Sequence, residues 1–198
     1  MSNLTHWLDP LFLVQTVGLA GVLLIIFAES GLFFGFFFPG DSLLFTAGFL
    51  ASQCFLPITW LTLGAILAAI LGDSVGYWFG AKVGPKIFSR PDSTFFHQRH
   101  LERTKNFFDT HGKKTIILAR FVPIVRTFAP ILAGVGKMEY HTFLSFNVIG
   151  GTAWGGGLTL LGYILGAVIP GVDQYLLPIV LLIIVISFIP VIKHLRYN

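Results

Sequence analysis

Apolar residues dominate five stretches of the chain almost without interruption, at 11–28, 30–50, 58–80, 142–168 and 174–193. Each is long enough, or nearly so, to cross about 30 Å of hydrocarbon at 1.5 Å per residue. The pattern predicts an all-α polytopic membrane protein with a single transmembrane domain over residues 1–198. Polar residues punctuate two segments in a way that a simple span does not tolerate. The first, 29–50, carries Glu29, Gly31, Gly35, Pro39, Gly40 and Asp41; the second, 115–137, carries Arg120, Pro123, Arg126 and Pro130. Pro and Gly permit a break, and irregular backbone at membrane depth survives only where protein or a water-filled cavity satisfies it. Both segments therefore read as re-entrant hairpins, beside four full spans at 11–28, 58–81, 141–168 and 174–193.

Composition agrees with this pattern. Hydrophobic residues make up 55% of the chain and charged ones 11%, against roughly 25% charge in a soluble domain. The start does not read as a secretory signal, because it lacks a basic leader and Glu29 follows the first span. The single cysteine, Cys54, rules out an intramolecular disulfide and reads as a small hydrophobe.

Charge distribution sets the expected topology. Eight of the thirteen basic residues fall in 82–114: Lys82, Lys86, Arg90, Arg99, Arg103, Lys105, Lys113 and Lys114. The positive-inside rule makes this loop cytoplasmic. Its Phe96, Leu101, Phe107 and Phe108 among basic residues suggest a helix lying on the inner leaflet, or else a solvated connector. Lys193 and Arg196 belong on the same side, and four spans with two hairpins place both termini there. The hairpins would then enter from opposite faces, the first from outside and the second from the cytoplasm.

An internal repeat points the same way. A shift of 86 residues superposes Ala47-Gly48 on Ala133-Gly134, Gly64 on Gly150, and "GYWFGA" (76–81) on "GYILGA" (162–167). Each unit reads as a hairpin followed by one spanning helix, so two in tandem are inverted. Inverted repeats are a secondary-transporter signature, with the site at the repeat interface near the midplane.

The charges inside the membrane are the candidate chemistry. Glu29 and Asp41 belong to the first hairpin, Arg120 and Arg126 to the second, and no Lys or Arg precedes Lys82. A charge at the bilayer centre costs about 2.5–3.5 kcal/mol on insertion scales, so such residues face a partner or a cavity. Salt bridges that merely pin the hairpins are one reading, although desolvation makes buried pairs weak stabilisers. Arg120, six residues past Lys114, has the further option of snorkelling to the headgroups. The functional reading gives the guanidinium forks of Arg120 and Arg126 to a phosphate. Glu29 and Asp41 then couple protons and close the gate, balanced between desolvation and a neighbouring Arg. Asp73, Asn147, Pro39, Gly40 and Pro123 are candidates to line the cavity, and Gly150, Gly151 and Gly155–Gly157 around Trp154 make a face without side chains.

Nothing in the chain suggests bond-making chemistry: it has no phosphate-cradling Gly-Lys-Ser/Thr loop, no His-Glu-x-x-His and no Gly-x-Ser-x-Gly. No enzyme activity, cofactor, metal or nucleic-acid partner is expected.

"PGDSLL" (39–44) with Glu29 twelve residues before Asp41, "GDSVGYWFG" (72–80), and "RFVPIVR" (120–126) running to "AGVGKM" (133–138) together resemble the DedA family of bacterial inner-membrane proteins. The resemblance covers nearly the whole chain, in order, and "RFVPIVR" is its most specific part. It implies two opposed re-entrant hairpins, functional acids at Glu29 and Asp41, and paired arginines at Arg120 and Arg126. It also implies transport that depends on proton motive force, with undecaprenyl phosphate recycling across the bacterial cytoplasmic membrane the best-supported role for some members. Distant eukaryotic relatives act as lipid scramblases.

The expected function is therefore translocation of an anionic lipid phosphate, with membrane lipids and protons as partners. A proton-coupled transporter of a small soluble solute or cation is the alternative, and a scaffold held by ion pairs a third. The sequence leaves open the oligomeric state, a homo-oligomer included, and the choice between coupled transport and passive scrambling.

Overall fold

The computed structural model describes residues 10–32, 40–88, 116–117 and 120–168. Among these the ordered elements are all helical. Helix α1 spans Pro10–Gly31, α2 Gly40–Ser52, α3 Ile58–Phe88, α4 Pro123–Val135, α5 Tyr140–Gly151 and α6 Gly157–Val168. A π-helical turn, Thr152–Gly156, joins α5 to α6 without a break, so that Tyr140–Val168 forms one helix of 29 residues.

Among the described residues, three helices are long and apolar enough to cross a membrane: Val14–Gly31, Ile58–Val83 and Tyr140–Val168. The middle span shows why. Trp60, Leu63, Leu67, Leu71, Val75 and Trp78 are exposed at helical spacing and form an apolar stripe suited to lipid. Leu61, Ala65, Ala69, Asp73 and Tyr77 recur every four residues on the opposite, buried face. The fourth expected span, 174–193, and the interfacial helix expected within 82–114 lie outside the described residues, apart from the α3 residues up to Phe88.

Helices α2 and α4 are different in kind. At 13 residues each they reach only about 20 Å, short of the hydrocarbon thickness. Helix α4 starts where Pro123 fixes φ in the first turn and holds Val122 extended. Both short helices end in the same way. Cys54 (φ 62°) and Lys137 (φ 55°) take the left-handed conformation. Phe55 N–H then donates to Leu50 O at 3.0 Å, and Met138 N–H to Ala133 O at 3.0 Å. Each is a Schellman closure built with a residue other than glycine.

Packing is reciprocal. Helix α2 lies against α6, and α4 against α3. The approaches are close enough to require glycine: a Cβ on Gly162 would fall 2.1 Å from Phe45 O, and one on Gly80 2.0 Å from Ile131 O. Gly48 meets Thr159 O, and Gly134 meets Tyr77 O, equally closely. The short-helix positions, Phe45 with Ile131 and Gly48 with Gly134, are 86 apart, matching the sequence repeat. Their partners, Gly80 with Gly162 and Tyr77 with Thr159, are 82 apart, a register one helical turn shorter.

One boundary differs from the sequence expectation. Helix α1 continues through Gly31, which puts Glu29 in the last turn of the first spanning helix and not in the hairpin. No proline or glycine precedes Gly31 after Gly21 to stop the helix there. An acid at a helix C-terminus opposes the dipole, so its partner has to come from elsewhere in the fold.

Candidate functional site

That partner is Arg126. Its position in the first turn of α4 is unfavourable for a cation on dipole grounds. Tertiary contacts offset this: Nη2 donates to Glu29 Oε1, and Nη1 donates to Asp41 Oδ1 at 2.5 Å. Asp41 lies in the first turn of α2, where a carboxylate is favoured. The Glu29 carboxylate rests over the backbone at the start of the same helix, so close that a Cβ on Gly40 would fall 1.5 Å from Oε2. Gly40 therefore leaves the space that the carboxylate occupies, and the N-termini of both short helices converge on one ion cluster.

Trp154 completes this cluster. Its Nε1–H donates to Asp41 Oδ1 at 2.7 Å, and the Arg126 guanidinium carbon sits 4.7 Å from the centre of an indole ring. The distance is within cation–π range. Glu29, Arg126 and Trp154 are all buried, while Asp41 keeps 16% of its side-chain exposure.

Arg120 does not join them. Of the two arginines assigned to a phosphate, only Arg126 faces Glu29 and Asp41. Arg120 Nη2 donates to Asp73 Oδ2 and to Asn147 Oδ1, and more weakly to Ala69 O at 3.4 Å. Asn147 Nδ2 in turn donates to Ile70 O at 3.1 Å, which fixes the amide. Gly150 and Gly151 make room for the guanidinium, since a Cβ on Gly150 would fall 2.9 Å from Arg120 Cδ. Arg120 is only 3% exposed, so it is held by α3 and α5 and does not snorkel to the headgroups.

The structure thus brings six of the expected polar residues into two clusters, Arg126–Glu29–Asp41 and Arg120–Asp73–Asn147. Gly40 lies against the first. Pro123 opens α4, and Pro39 lies outside the described residues. Sequence reasoning missed the role of Trp154 and the pairing of Asp73. The signal for Asp73 was present, as an acid on the buried stripe of a span; nothing in the sequence marked Trp154 as a partner of Asp41.

Formal charges follow from the pairing. Three carboxylates face two guanidiniums, and the two converging helix N-termini each contribute about half a positive charge. The site is near neutrality as it stands. Among the described residues, the Nε atoms of Arg120 and Arg126 are buried and have no acceptor.

Comparison with known proteins fits these features. Residues 38–164 match the VTT domain, a segment that contains both arginines, Asp41, Asp73, Asn147 and Trp154. Protein DedA of Escherichia coli is 47% identical over 179 residues, covering 87% of this chain and 81% of that protein. An uncharacterized membrane protein of Mycobacterium tuberculosis is 44% identical over 187 residues, covering 93% of this chain and 82% of its own length. A second one from that organism is 34% identical over 165 residues, covering 80% and 76%. No solved structure matches the chain. The spanning helices, the paired acids and arginines, and these matches lead to one conclusion: this chain is a membrane protein of the DedA family.

Proposed function

We propose that this protein moves an anionic lipid phosphate, undecaprenyl phosphate foremost, between the leaflets of the bacterial cytoplasmic membrane, and that this movement depends on proton motive force. The observation that carries the reading is the meeting of two short-helix N-termini at Arg126. Helices that stop within the membrane and aim their N-termini at one point form an anion site from backbone dipoles and N–H groups. Arg126 adds a guanidinium at that point, and Arg120 adds a second buried one.

The charge balance supports proton coupling. A site already near neutrality cannot take a phosphate without losing or neutralising a carboxylate, because an unpaired buried charge is costly. Protonation of Glu29 or Asp41 would release Arg126 to the phosphate, and protonation of Asp73 would release Arg120. Inward passage of one proton across 100 mV supplies about 2.3 kcal/mol, roughly a forty-fold bias in an equilibrium ratio. In this reading α2 and α4 are the inner limbs of two opposed re-entrant hairpins in inverted repeats. Their reciprocal packing is the supporting observation. Both termini and the basic segment 82–114 are cytoplasmic.

The test is leaflet transfer of a labelled prenyl phosphate in proteoliposomes, with and without an imposed potential and pH gradient. Arg126→Ala and Asp41→Asn are run beside the wild type and checked for folding. Transfer that needs both residues and accelerates with the gradient is the expected result. Absence of transfer in folded wild-type protein would remove the lipid substrate and favour a soluble solute.

A further inference from the structure

Two features of the long helix Tyr140–Val168 are not accounted for by an anion site alone. Trp154 is bonded to Asp41 and stacked on Arg126, and it lies in the middle of the only π-helical turn among the described residues. We propose that Trp154 is a positioning residue that latches Asp41 onto Arg126, and that the π-turn beneath it is the joint through which the latch opens when a phosphate reaches Arg126. The inference rests on the proposed function.

The latch follows from the hydrogen bonds. Asp41 Oδ1 accepts from both Arg126 Nη1 and Trp154 Nε1, so one carboxylate oxygen ties α2, α4 and the long helix together. The indole also covers one face of the guanidinium. A phosphate that takes Arg126 must displace the Asp41 carboxylate, and Asp41 cannot retreat while the indole N–H holds it.

The joint follows from helix geometry. A π-turn holds about one residue more than the α-helix it interrupts, and its loss would rotate everything beyond it by about 100°. Before the turn, Asn147 and Gly150 face Arg120. After it, Gly162 and Gly166 face α2. The turn sets the angle between these two faces, so a change in its winding turns Trp154 relative to Asp41 and the Gly162 face relative to Asn147. Gly155, Gly156 and Gly157 lie at its end; Gly155 and Gly156 pack on Ala65 and Ile66 of α3, while a Cβ on Gly157 would meet nothing within 4 Å.

The experiment uses full-length protein with Trp7, Trp60 and Trp78 replaced by Phe, so that Trp154 is the sole indole. Farnesyl phosphate, farnesol and inorganic phosphate are titrated separately, with binding followed by calorimetry and Trp154 by its fluorescence. The expected result is an emission change that saturates with farnesyl phosphate binding and is absent with farnesol. In otherwise wild-type protein, Trp154→Phe keeps the ring and loses the N–H, and it should bind farnesyl phosphate about tenfold more tightly, since a hydrogen bond to a charged acceptor no longer opposes displacement. A merely structural Trp154 predicts unchanged or weaker binding. Calorimetric binding without an emission change overturns the latch and leaves the proposed function standing. An equal response to inorganic phosphate keeps the latch and removes the lipid. No binding by the wild type overturns both.

Discussion

Asp73 and Arg120 illustrate what burial does to a charge. Each is about 5% exposed or less, and each is the other's formal counter-ion. Removing one partner of a buried pair leaves an uncompensated charge, at a loss of about 3–5 kcal/mol, whereas removing both is often nearly neutral. Asp73→Ala is therefore expected to lower the detergent melting temperature sharply, and Asp73→Ala with Arg120→Met to recover most of it. Strictly additive losses in the double variant would show that the two residues do not form a pair. At the first cluster, Gly40→Ala places a methyl group on the Glu29 carboxylate. Overpacking of this kind costs about 1–3 kcal/mol, and the same melt should register it, together with weaker anion binding. Glu29, Asp41, Arg120 and Arg126 were legible as site residues because charges inside apolar sequence need a reason. Which acid pairs with which arginine was not legible, since it depends on how the helices cross.

Helix ends and helix contacts carry separate expectations. Cys54 and Lys137 hold the left-handed conformation that glycine adopts without a Cβ penalty. Cys54→Gly and Lys137→Gly should each stabilise the protein by about 1 kcal/mol, measured by thermal melts. A loss of stability would mean that the exposed side chains make contacts outweighing the backbone strain. Among glycines the order reverses with environment. Gly157→Ala meets open space and should gain about 0.5–1 kcal/mol from reduced backbone entropy. Gly80→Ala and Gly162→Ala would drive a methyl group onto a backbone carbonyl and should force α3 from α4, and α6 from α2. The GYxxGA repeat announced these helices, because small residues at helical spacing permit close approach. It did not announce that each repeat packs its long helix on the other repeat's short one.

For the molecule as a whole, the topology makes the native cysteine a reporter. Cys54 is exposed at the end of α2, and the proposed topology, with the basic segment 82–114 inside, puts it on the outer face. A membrane-impermeant maleimide should label it on intact cells. In Cys54→Ser protein, Lys105→Cys should react only after permeabilisation. Labelling of both from the same side would refute the arrangement of four spans and two hairpins.

Hydropathy and charge placement by themselves determined that this chain enters a membrane, where its long helices lie and which ionisable residues have to be buried. Those properties depend on transfer free energy, which is additive along the chain and readable position by position. Only the tertiary structure decided that Glu29 ends the first span, that Arg126 takes both Glu29 and Asp41, that Arg120 goes to Asp73 and Asn147, and that Trp154 closes over the first cluster. These outcomes depend on which carboxylate lies within bonding distance of which guanidinium. That distance is set by helix crossings and the π-turn Thr152–Gly156, and no local pattern of residues encodes it.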